Sequence, residues 1–105
     1  MGGTRVRERS TRTPFSHYVY VLRCKDGSLY TGYTTDPERR LRQHNSGKAS
    51  KYTRGRLPVV LAYLESLPSK NSALRREHAL KGMTRSEKLL LLRHSVVRRT
   101  TYSSR

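Results

Sequence analysis

Acidic residues, cysteine and long apolar runs are all scarce in this chain of 105 residues, and each scarcity removes a class of protein. Cys24 is the single cysteine, so neither a disulfide framework nor a multi-cysteine zinc module can form, and a reducing compartment fits best. No apolar run is long enough for a membrane span or a signal-peptide core, and Leu89 to Leu92 sits inside a charged segment. A cytoplasmic protein with no membrane partner is the expectation. Only 7 Asp or Glu stand against 23 Lys or Arg, a formal net charge of +16. That balance implies a polyanionic partner, nucleic acid before an acidic surface, and carries no information about fold. So few acids also argue against a two-metal carboxylate centre and leave room for one ion.

The length suits one domain with a modest core. Residues 1–16 carry Arg5, Arg7, Arg9 and Arg12 among Gly, Ser, Thr and one Pro, without periodicity. They read as a disordered basic arm, with a mitochondrial-type presequence as the rival. Residues 95–105 read as a flexible basic tail, and the folded domain as residues 17–94, itself still basic. There is no internal repeat.

His17 to Cys24 and Ser28 to Tyr33, rich in aromatic and β-branched residues, predict two strands. Asp36-Pro37 supplies an N-cap and a first-turn proline for a helix running to about Asn45 and stopping at Gly47. Residues 48–57 read as a basic loop, and Pro58 to Glu65 as a third strand. A helix from Ser69 to Lys81 closes at Gly82, and Thr84 with Glu87 forms a capping box for a last helix to about His94. The order ββαβαα predicts an α+β domain: a three-stranded antiparallel sheet flanked by three helices.

The first turn matters for function. A two-residue Asp26-Gly27 loop puts Tyr20 and Tyr30 on opposite sheet faces, because side chains alternate. A three-residue Lys25-Asp26-Gly27 loop pairs Cys24 with Ser28 and puts both rings on one face. Gly27 stands where that longer turn needs a left-handed residue. The expectation is therefore both tyrosines on one face, with Arg40 and Glu77 beside them in one basic cleft.

Arg40 and His44 are one helical turn apart, so a guanidinium fork and an imidazole could address the same phosphate, or both could belong to a solvated basic face. Glu77 falls in the apolar arc with Ala73, Leu74 and Leu80. There it would hold one Mg²⁺ or Mn²⁺ together with substrate phosphate and water, or tilt outward to pair with Lys81. Tyr20 and Tyr30 are either core aromatics or phenols made competent by a cation. Gly32 either relaxes the strand end or admits a phosphate to the backbone. Between Arg39 and Arg56 there is no acid, only Arg39, Arg40, Arg42, Lys48, Lys51, Arg54 and Arg56. That stretch suits a phosphate backbone, with Asn45 beside it and Tyr52 placed to stack on a base. His17, His78 and His94 show no metal-ligand spacing and read as structural.

In this order the motifs resemble the GIY-YIG nucleases. Tyr18-Val19-Tyr20 stands in the place of Gly-Ile-Tyr and Tyr30-Thr31-Gly32 in the place of Tyr-Ile-Gly. Arg40, His44 and Glu77 match that family's Arg, His and metal-binding Glu, over roughly residues 17–92. The likeness is to small single-domain bacterial members and to the nuclease domain of the eukaryotic structure-specific endonuclease. Gln43-His44-Asn45 with Gly47, and Thr53 to Pro58, carry that closer likeness. The resemblance implies phosphodiester hydrolysis, in DNA first, with one Mg²⁺ or Mn²⁺ on Glu77. Tyr20 would orient or deprotonate the water, Tyr30 and His44 would support it, and Arg40 would balance the charge on phosphate. It also implies a nucleoid association in a bacterial cell and leaves room for a protein partner that selects substrate. Tyr18 and Thr31 depart from the usual motif, and no accessory DNA-binding domain is present. Two other classes stay open: a nucleic-acid-binding module with weak or no catalysis, and a basic accessory protein of a nucleoprotein assembly.

Overall fold

The computed structural model describes residues 16–94, so the expected basic tail, and the expected arm apart from Ser16, lie outside the described residues. Strands β1 (His17–Arg23) and β2 (Leu29–Thr34) form the hairpin. Helices α1 (Pro37–Asn45) and α2 (Lys51–Arg54) follow, then β3 (Val60–Leu67), α3 (Lys70–Lys81) and α4 (Arg85–Arg93). The sheet order is β2-β1-β3, with β1 antiparallel to both neighbours. This is the expected α+β class. The helix α2 was not expected; it lies inside the segment read as a basic loop, where Ser50 caps it by accepting from the Tyr52 amide.

The hairpin closes through three residues. The Cys24 amide donates to Ser28 O at 2.9 Å, the Gly27 amide donates to Cys24 O at 2.9 Å, and Gly27 takes φ +87°. Tyr20 therefore pairs with Gly32 and Leu22 with Tyr30. Alternation then splits the sheet into two faces. Val19 and Val21 pack with Ala62, Tyr63, Ala73, Leu80 and Leu92, under α3 and α4. Tyr20, Leu22 and Cys24 pack with Val59, Leu41, Leu57, Leu61 and Leu64, under α1 and the segment that follows it. A bulge in β3, where Leu22 faces Leu61 and Val21 faces Tyr63, leaves Ala62 unpaired and lets both Leu61 and Leu64 reach the Tyr20 face.

β3 starts two residues later than expected, and the cause is Asn45. Its side-chain amide donates to Val59 O at 3.0 Å and accepts from the Val59 amide at 2.8 Å. Both backbone groups of Val59 are thereby used before the strand begins. Helix caps follow the sequence closely. Asp36 accepts from the Arg39 amide, and Thr84 and Glu87 form the capping box. Ser69 and Ser72 form a second one. Among the described residues no helix is long and apolar enough to cross a membrane.

Candidate active site and nucleic-acid interface

The cross-strand pair Tyr20–Gly32 is the base of the site. A Cβ on residue 32 would overlap the Tyr20 hydroxyl and its ring carbon Cζ, so only glycine leaves space for the phenol to lie across β2. Neither role read for Gly32 in the sequence is the one seen; the ring, not a phosphate, takes the space. Gly32→Ala is expected to push the phenol out of its seat and cost about 1–3 kcal/mol, the usual range for overpacking. A lower urea midpoint with an unchanged slope is the measurement that checks it.

Seated there, the Tyr20 hydroxyl lies 3.0 Å from His44 Nε2. His44 is 1 % exposed, and its other nitrogen, Nδ1, lies 2.9 Å from Thr53 Oγ1. The imidazole is thus held at both ends and does not face solvent as a phosphate ligand would. Burial pushes the Tyr20 phenol well above its ordinary pKa, and the phenol of Tyr30 and the carboxylate of Glu77 push the same way; the Arg40 guanidinium opposes them. Burial, with a smaller contribution from the Arg40 charge, holds His44 below its ordinary value. At neutral pH the pair is therefore a protonated phenol facing a neutral imidazole.

Tyr30 lies on the same face, its ring centroid 6.4 Å from Tyr20, 5.1 Å from His44 and 5.8 Å from Tyr52. Tyr52 in turn carries the Arg56 guanidinium 4.1 Å over its ring. Arg56 also donates to Tyr52 O at 2.7 Å and pairs with Asp26 of the hairpin turn at 3.1 Å. Three residues expected at the nucleic-acid surface are thus engaged within the fold. Tyr52 is part of the aromatic stack, Arg56 ties α2 to the turn, and Asn45 spends its amide on Val59. These contacts support the tyrosines, while Tyr52 stays 39 % exposed.

Arg40 stands one turn before His44 on α1, half-buried, with its charge acting on both Tyr20 and His44. Glu77 comes from the other layer. On α3 the inward stripe is Ala73, Arg76, Glu77 and Leu80, while Leu74, expected inside, is exposed. Glu77 lies on the stripe whose Ala73 and Leu80 pack beneath the opposite sheet face. Its charge nonetheless reaches the Tyr20 phenol. The carboxylate is 18 % exposed and sits 3.1 Å from Lys81 Nζ, so the expected intrahelical pair exists as well. No group of three or more His, Cys, Asp or Glu suited to a metal occurs among the described residues. One part-buried carboxylate with a displaceable lysine fits a Mg²⁺-type ion that takes its other ligands from phosphate and water.

The outer surface beside this cluster is cationic. Arg39, Arg42, Lys48, Lys51 and Arg54 are exposed, and among the described residues none makes an ion pair. Lys48, Lys51 and Arg54 line a hollow of about 380 Å³ with Gly47, Ala49 and Ser50. Two of the other histidines make contacts within the fold. His17 Nδ1 meets the Tyr33 hydroxyl at 2.9 Å, and His94 Nδ1 meets Leu90 O at 2.9 Å. Thr53 entered the sequence reading only through the Thr53 to Pro58 likeness, with no role of its own. Ser50 marks a helix start, but nothing in the spacing announces a contact with His44.

This fold, with tyrosines from a hairpin, arginine and histidine from the first helix and a glutamate from a later one, is that of the GIY-YIG domain. A family profile described as "GIY-YIG catalytic domain" matches residues 16–89, and the chain belongs to this nuclease family. Its relatives there are small UPF0213 proteins. The one from Haloquadratum walsbyi is 57 % identical over 72 residues, which cover 69 % of this chain and 81 % of that protein. The one from Staphylococcus haemolyticus is 54 % identical over 76 residues, covering 72 % of this chain and 93 % of that protein. The solution NMR structure of a protein from E. faecalis is similar at TM-score 0.53 and 48 % identity, covering 75 % of this chain and 84 % of that one.

Proposed function

We propose that this protein is an endonuclease that hydrolyses phosphodiester bonds in nucleic acid, DNA first, with one divalent cation. The observation that carries the reading is the convergence on one phenol. The Tyr20 hydroxyl has His44 Nε2 at 3.0 Å, and the charges of Arg40 and Glu77 act on it in opposite directions. A buried phenol with a neutral imidazole as proton acceptor, a cation and a carboxylate is more than a sheet core needs.

In this reading Tyr20 O takes a proton from the attacking water while its own proton passes to His44 Nε2. The oxygen of water then bonds to phosphorus as the bond to the leaving oxygen breaks. Arg40 faces the negative charge that grows on phosphate. Glu77 would hold the ion, which supplies Lewis-acid stabilisation near the leaving oxygen when bound. Lys48, Lys51, Arg54, Arg39 and Arg42 would receive the flanking backbone.

The test is direct. Purified protein is incubated with labelled single-stranded, duplex, flap and junction substrates, of DNA and of RNA, in Mg²⁺, in Mn²⁺ and in EDTA. Metal-dependent cleavage of at least one substrate is expected. Binding without cleavage in every metal would leave a nucleic-acid-binding module instead.

A pH profile adds a second check. The groups facing His44 are Arg40 on its own helix and Tyr20 and Tyr30 on the sheet; Arg40 joins burial in holding its pKa down. The neutral imidazole is the active form, so kcat/KM stays level through neutral pH and falls only below the ordinary histidine value of about 6.5. Phosphate bound against Arg40 removes part of that depression. The acid limb of kcat, which reports the complex, is therefore expected at higher pH than that of kcat/KM.

A further inference from the structure

Thr53 is fully buried, with 0 % exposure, on a helix of four residues. A helix that short has no stability of its own, so tertiary contacts must hold it in place. Those contacts are unusually polar. Thr53 Oγ1 lies 2.9 Å from His44 Nδ1, and it donates to Ser50 O at 3.4 Å. Ser50 in turn caps the helix by accepting from the Tyr52 amide at 3.0 Å.

The contacts of Thr53 point to one placement of the protons in this chain. A threonine hydroxyl has one proton and accepts through its lone pairs. The 2.9 Å contact with Nδ1 accommodates either direction; in the arrangement that also uses Ser50 O, at 3.4 Å, the hydroxyl proton points there and Oγ1 is an acceptor toward His44. In that arrangement Nδ1 carries the ring proton, and a neutral imidazole has no second one. Nε2 is left as a lone pair 3.0 Å from the Tyr20 hydroxyl, which donates to it. The protonated state of the buried phenol agrees with this direction. Reversing the chain would leave Nε2 carrying a hydrogen, and Tyr20 could not pass its proton there. Valine would match the shape of Thr53 and fill the same volume, so packing alone does not account for a hydroxyl.

We propose that Thr53 is a positioning residue of the hydrolytic site: its hydroxyl holds His44 in the Nδ1–H tautomer and keeps Nε2 open for the Tyr20 proton. The proposal rests on the nuclease reading for its consequence in turnover, but not for the tautomer itself. Thr53 touches neither substrate nor the reacting atoms. It acts only through the imidazole, as an orienting partner does in other histidine relays.

The experiment compares the full chain with Thr53→Ser, Thr53→Val and Thr53→Ala. Imidazole nitrogens are read by ¹⁵N NMR on histidine-labelled protein, the His44 signals being assigned by their loss in His44→Gln. Wild type and Thr53→Ser are expected to show the Nδ1–H pattern, with turnover within about threefold of each other. Thr53→Val should lose that pattern, and its kcat should fall on the order of tenfold to a hundredfold with KM little changed, the usual cost of removing an orienting hydrogen bond. Thr53→Ala repeats the comparison should valine fail to fold. An Nε2–H tautomer in wild type, or an unchanged tautomer in a folded Thr53→Val or Thr53→Ala protein, overturns the proposal. So does an unchanged kcat in a variant that has switched tautomer. A wild-type chain that cleaves no substrate sinks the nuclease reading, and the tautomer comparison still decides whether Thr53 sets the imidazole.

Discussion

Glu77→Gln is expected to lower single-turnover cleavage by at least about a hundredfold while leaving the fold and the affinity for nucleic acid nearly unchanged. The size follows from the proposed task. A carboxylate that holds the one ion near the leaving oxygen contributes several kcal/mol of transition-state stabilisation, and each 1.36 kcal/mol is tenfold in rate. The fold should tolerate the change because the carboxylate's one ion-pair partner, Lys81, is 55 % exposed on the same helix. Such pairs are worth about 0–1 kcal/mol. The sign of a second effect makes the variant diagnostic. The Glu77 charge raises the Tyr20 pKa, so removing it eases ionisation of the phenol. Were Glu77 only an electrostatic neighbour of Tyr20, the amide would leave cleavage unharmed or improve it. Equal rates for the two proteins, or equal wild-type rates in Mg²⁺ and in EDTA, would remove the metal assignment.

Arg40→Ala and Lys51→Ala should fail in different ways, although both delete one positive charge. Arg40 is half-buried beside the Tyr20–His44 pair, where charge develops during the reaction. Losing one preorganised donor there typically costs on the order of a hundredfold to a thousandfold in turnover. Lys51 is exposed at the rim of the cationic hollow, away from that pair. Its loss should weaken binding similarly across sequences and reduce the salt slope by about one unit, with the rate at saturation unchanged. Affinity and single-turnover rate on one oligonucleotide at several salt concentrations separate the two. If Arg40→Ala behaves as Lys51→Ala does, Arg40 is another backbone contact and the binding-module reading moves ahead.

Within the site, the residues legible in the sequence are those whose placement depends on near neighbours. Tyr20 and Tyr30 could be put on one face because Gly27 sits at the left-handed position of a three-residue turn, and the turn sets the register. Arg40 and His44 could be put one turn apart because Asp36 and Pro37 fix the helix start. What those side chains touch was another matter. His44 was open to a phosphate beside Arg40, to a solvated face or to the support of Tyr20, and only the packing of α1 against the sheet encloses the imidazole between Tyr20 and Thr53. Tyr52 and Arg56 were read as a nucleic-acid contact, and the spacing did not announce that Tyr52 stacks on Tyr30 or that Arg56 pairs with Asp26. Asn45 went the same way, to the backbone of Val59.

By itself the sequence determined the α+β class, the antiparallel hairpin and its register, the caps of the longer helices and a strongly basic surface. Each of these follows from turn chemistry, helical spacing or charge within a few residues. Tertiary structure alone decided that Gly32 is the seat of the Tyr20 ring and that Thr53 holds His44. It also decided that the charge of Glu77, on α3, acts on that phenol. The physical reason is that these contacts join different elements. Their distances are set by how α1, α2 and α3 pack on the sheet, and a spacing along the chain carries no measure of that.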